Sequence, residues 1–213
     1  MFPERLTKGY QAFKQGRFRI ERDRYEELAG QGQAPSIMLI GCVDSRVSPE
    51  VIFDSAPGEI LVARNVANLV PAYEPPSAED ASHQHGTSAA LEFAVKALRV
   101  RDIVVLGHAF CGGIKAFATC AAPLTDSDFI GRWVSQIAPA AATIGPKDAM
   151  SEDDYQTQLE FASIEQSLKN LMTFPFVRAA VEKGELALHG AYFGVASGRL
   201  LVRDARTGKF APV

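Results

Sequence analysis

An α/β fold, with a mostly parallel central sheet flanked by helices, is what this sequence predicts, and three observations predict it. Two short apolar runs, Ile37-Met38-Leu39-Ile40 and Ile103-Val104-Val105-Leu106, have the length and composition of strands buried on both faces. Segments with helical patterning separate these runs, which is the alternation that builds parallel sheets. A third strand-like stretch, Leu186 to Phe193, is followed by Leu200-Leu201-Val202-Arg203 across Ala196-Ser197-Gly198, the pattern of an antiparallel edge.

The elements follow in order. From Pro3 to about Ala29 the chain is charged, with Leu6, Tyr10, Phe13, Ile20 and Leu28 as apolar anchors. That spacing predicts one or two amphipathic helices with Gly16 as the interruption. A strand is expected at Ser36 to Gly41 and a second at Ile60 to Ala63. Val70-Pro71-Ala72-Tyr73-Glu74-Pro75-Pro76 is too rich in proline to be regular and reads as a crossing. Gly86 to about Leu98 reads as a helix and Asp102 to Gly107 as the third strand. Helices are then expected near Asp126 to Ala138, Asp153 to Leu171 and Phe176 to Lys183.

The 213 residues suit a single domain, 1–213, whose first 30 residues form a helical arm. That arm has too little apolar surface for a core of its own, so it must pack on its own subunit or on a partner. The net charge of −3 and the lack of a dense basic cluster argue against a nucleic-acid surface. Apolar stretches break off well before membrane-spanning length, and Met1 to Lys8 lacks the apolar centre of a secretory leader. A cytoplasmic protein is expected. Three cysteines, an odd number, do not make a disulfide framework. Cys120 reads as a spare, buried thiol.

Chemistry concentrates where the apolar runs end. Cys42 lies in Gly-Cys-Val-Asp-Ser-Arg-Val, and His108 with Cys111 lies in Gly-His-Ala-Phe-Cys-Gly-Gly. Open α/β sheets place ligand crevices at the carboxyl ends of their strands. Two thiolates and an imidazole meeting there would give zinc three protein ligands, leaving a position for water or substrate. Asp44 and Arg46 alternate with Cys42, an odd arrangement for a core but a sensible one beside a dication. Gly112-Gly113 permits a tight turn and close backbone approach before the next helix.

Cys42-x-Asp44-x-Arg46 followed by His108-x-x-Cys111-Gly112-Gly113 closely resembles the signature of the β-class carbonic anhydrases. The likeness continues through Ala63-Arg64-Asn65-Val66-Ala67-Asn68, through Thr87 to Val95, and through Ser167-Leu168-Lys169-Asn170 and Phe174-Pro175-Phe176-Val177. It implies a zinc lyase for the reversible hydration of carbon dioxide to bicarbonate and a proton, through a zinc-bound hydroxide. It also implies homodimers or homotetramers whose N-terminal helices embrace the neighbour. Cys42, His108 and Cys111 would be the metal ligands. Arg46 would hold Asp44 by charge-assisted hydrogen bonds, and Asp44 would accept from the zinc-bound water.

In some relatives that Asp instead closes the metal site. Relatives that do so under bicarbonate control carry a Trp and a Tyr where this chain has Leu39 and Phe193. Neither can donate to an anion, so that inhibitory pocket is expected to be absent and the site open. Two thiolates should make the bound water less acidic than imidazoles would, so activity should favour somewhat alkaline pH. Phe174 and Phe176 read as core before pocket walls, and Lys115 as solvent-facing. Arg64 reads as sheet-end architecture with no catalytic role, and His189 as a hydrogen-bonded structural residue. His83 and His85 read first as an exposed loop, with proton shuttling as the alternative. Three other readings stay open at this point: a closed, non-catalytic zinc module, a Cys42–Cys111 redox pair, and hydration of carbonyl sulfide or carbon disulfide.

Overall fold

The computed structural model describes residues 1–75 and 86–213; His83 and His85 lie outside the described residues. Helices α1 (Glu4–Gln15) and α2 (Arg17–Gln31) are separated at Gly16, as the anchors predict. Then come β1 (Ile37–Cys42), α3 (Pro49–Ile52) and β2 (Ile60–Asn65). Helix α4 (Gly86–Glu92) runs into a π-helical turn, Phe93–Leu98, before β3 (Asp102–His108). Four helices follow β3's loop: α5 (Gly112–Ala118), α6 (Phe129–Val134), α7 (Ala138–Ala141) and α8 (Glu152–Leu171). Helix α9 (Pro175–Glu182), β4 (Ala187–Phe193), β5 (Leu200–Arg203) and β6 (Phe210–Pro212) complete the chain.

The sheet has six strands in the order β2-β1-β3-β4-β5-β6. The first four are parallel, and β5 and β6 are antiparallel additions. Because β1 lies between β2 and β3, the chain leaves it on one side and returns on the other. That is a topological switch point, the place where open α/β sheets hold ligands. The β1–β3 register pairs Gly41 with Leu106, so Cys42 leaves β1 level with Gly107 and His108 lies one residue beyond it on the neighbouring strand.

Helix α8 covers the middle of the sheet. Ser151 caps it by accepting from the Asp154 N–H at 3.1 Å, and Glu152, Asp153 and Asp154 complement the dipole of its first turn. It lies close because β3 offers no side chain at Gly107, where a Cβ would stand 2.7 Å from Ile164 Cδ1. Ile164 is fully buried there, a contribution of roughly 1.5–3 kcal/mol. Phe174 is buried against Tyr73 and Phe176, so both phenylalanines serve the core. Among the described residues, no helix is long and apolar enough to cross a membrane.

The structure corrects several of these expectations. The stretch Asp126 to Ala138 is not one helix: Asp128 takes a left-handed φ of 46° and caps α6, and a 3-10 turn at Ser135–Ile137 separates α6 from α7. Pro139 lacks the N–H that a continuous helix would use there. Cys120 is exposed, because α5 ends at Ala118 and the following turn carries the thiol outward. Strand β6 adds an edge that sequence patterning does not announce, being three residues long and containing Pro212.

Candidate metal centre

Three side chains converge beyond β1 and β3. Cys42 Sγ, a His108 ring nitrogen and Cys111 Sγ all lie within 4.8 Å of one another, and all three residues are buried. The two sulfurs are 4.0 Å apart and both cysteines are free thiols, so they form no disulfide. His108 Nδ1–H donates to the Ala109 carbonyl at 2.9 Å, leaving the lone pair of Nε2 free. That Nε2 is buried without a partner. These residues fit zinc: two sulfurs bound tetrahedrally at about 2.3 Å stand about 3.8 Å apart, and an unpartnered buried imidazole nitrogen is what a metal would satisfy.

The three groups shift one another's ionisation. The S–H of Cys111 directed at Cys42, with His108 beside it, lowers the Cys42 thiol against the opposing effect of burial. The same contact, with burial, raises Cys111. Burial alone would lower His108, but its contacts with Cys42 and the Ala109 carbonyl outweigh that and raise it.

The ligand loops are braced by two arginines. Arg46 grips Asp44 with a fork: Nε donates to Oδ1 at 2.9 Å and Nη2 to Oδ2 at 2.6 Å, while the Arg46 backbone N–H donates to Oδ1 at 3.0 Å. This fork holds the Asp44 carboxyl well below the usual carboxylate range. Arg46 Nη2 also donates to the Phe110 carbonyl at 3.0 Å, so one guanidinium joins both ligand loops. Phe110 takes a left-handed φ of 59°, a conformation that costs a bulky residue about 1–3 kcal/mol and persists only where neighbours enforce it. Arg64, on β2, donates to the carbonyls of Cys42 at 2.8 Å and Asp44 at 2.7 Å. Its partners are backbone oxygens, which fits the architectural role read from the sequence.

The remaining candidates fall where packing puts them. A Cβ on Gly113 would stand 2.7 Å from Val66 Cγ1, so this glycine permits the close approach; Gly112 has open space around it. Lys115 is exposed. His189 is hydrogen-bonded to Asp102 at 2.8 Å. Leu39 and Phe193 pack on one small apolar cluster with Leu106 and Ala191. Sequence reasoning missed Glu160, a buried acid whose Oε1 accepts from the Cys111 N–H at 2.9 Å. The available signal was its position on the apolar face of α8, four residues before Ile164 and eleven before Leu171.

A mostly parallel α/β sheet with two thiols and an imidazole at its switch point has the donor set of a metalloenzyme site, in which three protein ligands to zinc would leave a coordination position open. The comparisons with known proteins agree. Residues 37–200 match the protein family described as carbonic anhydrase. β carbonic anhydrase 3 of Arabidopsis thaliana is 38% identical over 200 residues, spanning 92% of this chain and 74% of that protein. The structure of the β-carbonic anhydrase CcaA superposes with a TM-score of 0.88 at 30% identity, covering 99% of this chain and 91% of that one. One of two tetrameric β-carbonic anhydrases from Sordaria macrospora gives 0.78 at 29% identity, covering 97% and 96%. The chain belongs to the carbonic anhydrase family, in its β class: it is a zinc-dependent lyase for the reversible hydration of carbon dioxide to bicarbonate and a proton.

Proposed function

We propose that Cys42, His108 and Cys111 hold the zinc of this enzyme, and that Asp44, oriented by Arg46, is the hydrogen-bond-accepting group beside it. The observation that carries this reading is the buried triad with its unpartnered Nε2, flanked by a carboxylate whose two oxygens are both engaged by one guanidinium. Zinc, when bound, supplies a Lewis acid that brings the pKa of a water from about 15.7 towards 7. The chain supplies the rest. Arg46 keeps Asp44 anionic and engages both of its oxygens, which supports an open site over one closed by Asp44. Held as an anion, Asp44 can accept a hydrogen bond from a reacting water and orient it. The Ala109 carbonyl fixes the imidazole tautomer that presents Nε2.

The test is stopped-flow carbon dioxide hydration on protein of known zinc content, across about pH 6.5 to 9. Turnover should be measurable near neutrality and rise smoothly with pH. A carboxylate held far below neutrality adds no limb of its own in that window. Activity confined to the region above about pH 8 would overturn the open site in favour of closure by Asp44.

The same reading includes assembly with further copies of this chain, as a homodimer or homotetramer. Helices α1 and α2 contain no buried residue; Leu6 and Tyr10 lie one turn apart on α1 with Phe2 just ahead of the helix, and the three are 54%, 60% and 68% exposed. Phe13, Phe18 and Tyr25 tie the two helices together. Arg17 and Arg24 hold the arm to the body through the Ser55 and Pro57 carbonyls. A second copy covering that stripe accounts for its apolar character. The Sordaria macrospora relatives, described as tetrameric, support this. Sedimentation should give two or four copies of the 23.0 kDa chain, and Leu6→Glu with Tyr10→Glu should shift the distribution towards smaller species. A parent protein that sediments as a monomer would remove the proposal. Three free cysteines suit a reducing compartment, which supports a cytoplasmic location.

A further inference from the structure

We infer that Glu160 is a positioning residue for zinc capture: it clasps the backbone of Cys111 from behind and so fixes where that sulfur stands, an inference that rests on Cys111 being a zinc ligand. Glu160 is 3% exposed, in the buried face of α8. Its Oε1 accepts from the Cys111 N–H at 2.9 Å and from Gln156 Nε2 at 3.0 Å, and its Oε2 accepts from the Tyr192 hydroxyl at 2.7 Å. Gln156 Nε2 also reaches the Cys111 carbonyl at 3.3 Å. Two side chains one helical turn apart therefore hold both the N–H and the C=O of a single metal-ligand residue.

This is more than satisfaction of a stray polar group. A buried acid is costly unless its acceptors are used, and here both oxygens are engaged by donors that belong to the metal loop or brace it. Burial and the bond to Glu160 keep Tyr192 above its ordinary value, so it stays a hydroxyl donor. The loop needs such a clasp because Phe110, immediately before Cys111, sits in the left-handed region. Arg46 holds the Phe110 carbonyl on the open side, and Glu160 holds the next N–H on the buried side. Release of the inner clasp lets Phe110 relax and turns the Cys111 sulfur away from Cys42. Supporting groups of this kind typically change metal affinity by about 10- to 100-fold.

The experiment compares zinc dissociation, by competition with a chromophoric chelator, and the thiolate-to-metal absorption band of cobalt-loaded protein. Glu160→Ala should weaken zinc binding by about 10- to 100-fold and alter the cobalt band. Glu160→Gln should recover most of both, because an amide oxygen still accepts the Cys111 N–H. Should Glu160→Ala fail to fold, Gln156→Ala carries the test, with a smaller loss of the same kind. Zinc affinity within about twofold of the parent in a folded Glu160→Ala, or in Gln156→Ala where that variant carries the test, well short of that range, overturns the inference. So does a Glu160→Gln protein that binds zinc no better than Glu160→Ala. A parent protein that fails to bind zinc would strike the ligand assignment instead, so the two failures are distinct.

Discussion

Replacement of either Cys42 or Cys111 by Ser should strip the zinc from this enzyme and end its turnover. A serine hydroxyl is far less acidic than a thiol, so it cannot supply the anionic donor that a thiolate supplies. Structural zinc binding is worth about 10–16 kcal/mol over four ligands, or roughly 2.5–4 kcal/mol for each. Losing one of three therefore weakens affinity by about a hundred- to a thousandfold at least. Structure argues against rescue from nearby. Among the described residues, the only cluster of metal-grade ligands is Cys42, His108 and Cys111, and Arg46 already occupies both oxygens of Asp44. Cys120→Ser is the control: its thiol is exposed beyond the end of α5 and should change neither zinc content nor rate. Metal analysis after dialysis against a chelator decides the matter, and a Cys42→Ser protein that kept one zinc per chain would sink the assignment.

What can be read in the sequence is what local chemistry declares. The apolar runs at Ile37 and Ile103 have the character of central strands, and the register of β1 on β3 then brings Cys42 and His108 together as their strand-end positions imply. Asp44 and Arg46 are legible because two residues apart in a short segment is already contact range, and the fork matches the spacing. The misses have a common physical origin. Glu160 looks like one more charge on a charged helix until α8 is laid on the sheet through Gly107, which turns that face inward. The bond from Arg46 to the Phe110 carbonyl spans 64 positions and depends on a left-handed residue that no propensity favours. Apolar neighbours point Cys120 inward, whereas the end of a seven-residue helix puts it outside. Hydrophobic pattern fixes which face of an element is buried only after the partner is known.

Asp44→Asn should leave the zinc in place and lower carbon dioxide hydration by about 10²- to 10⁴-fold, the usual contribution of a positioned proton-transfer group. The two effects separate because Asp44 lies outside the ligand triad. An amide matches the carboxylate in shape, but one of its ends is a donor. Arg46 presents donors to both Oδ1 and Oδ2, so the NH2 of Asn must face either Nη2 or Nε and the Arg46 backbone N–H, donor against donor. In both cases the fork that orients residue 44 is broken. One of the two atoms that could accept from the reacting water has also become a donor. Either outcome removes the function while preserving volume and fold. Arg46→Lys should lose less, since an ammonium can hold Asp44 as a point charge without the bidentate geometry or the reach to Phe110. The measurement is kcat together with zinc per chain. An Asp44→Asn protein that turned over like the parent with full zinc would show that the carboxylate neither orients water nor accepts its proton, and that Arg46 braces the loops for the metal alone.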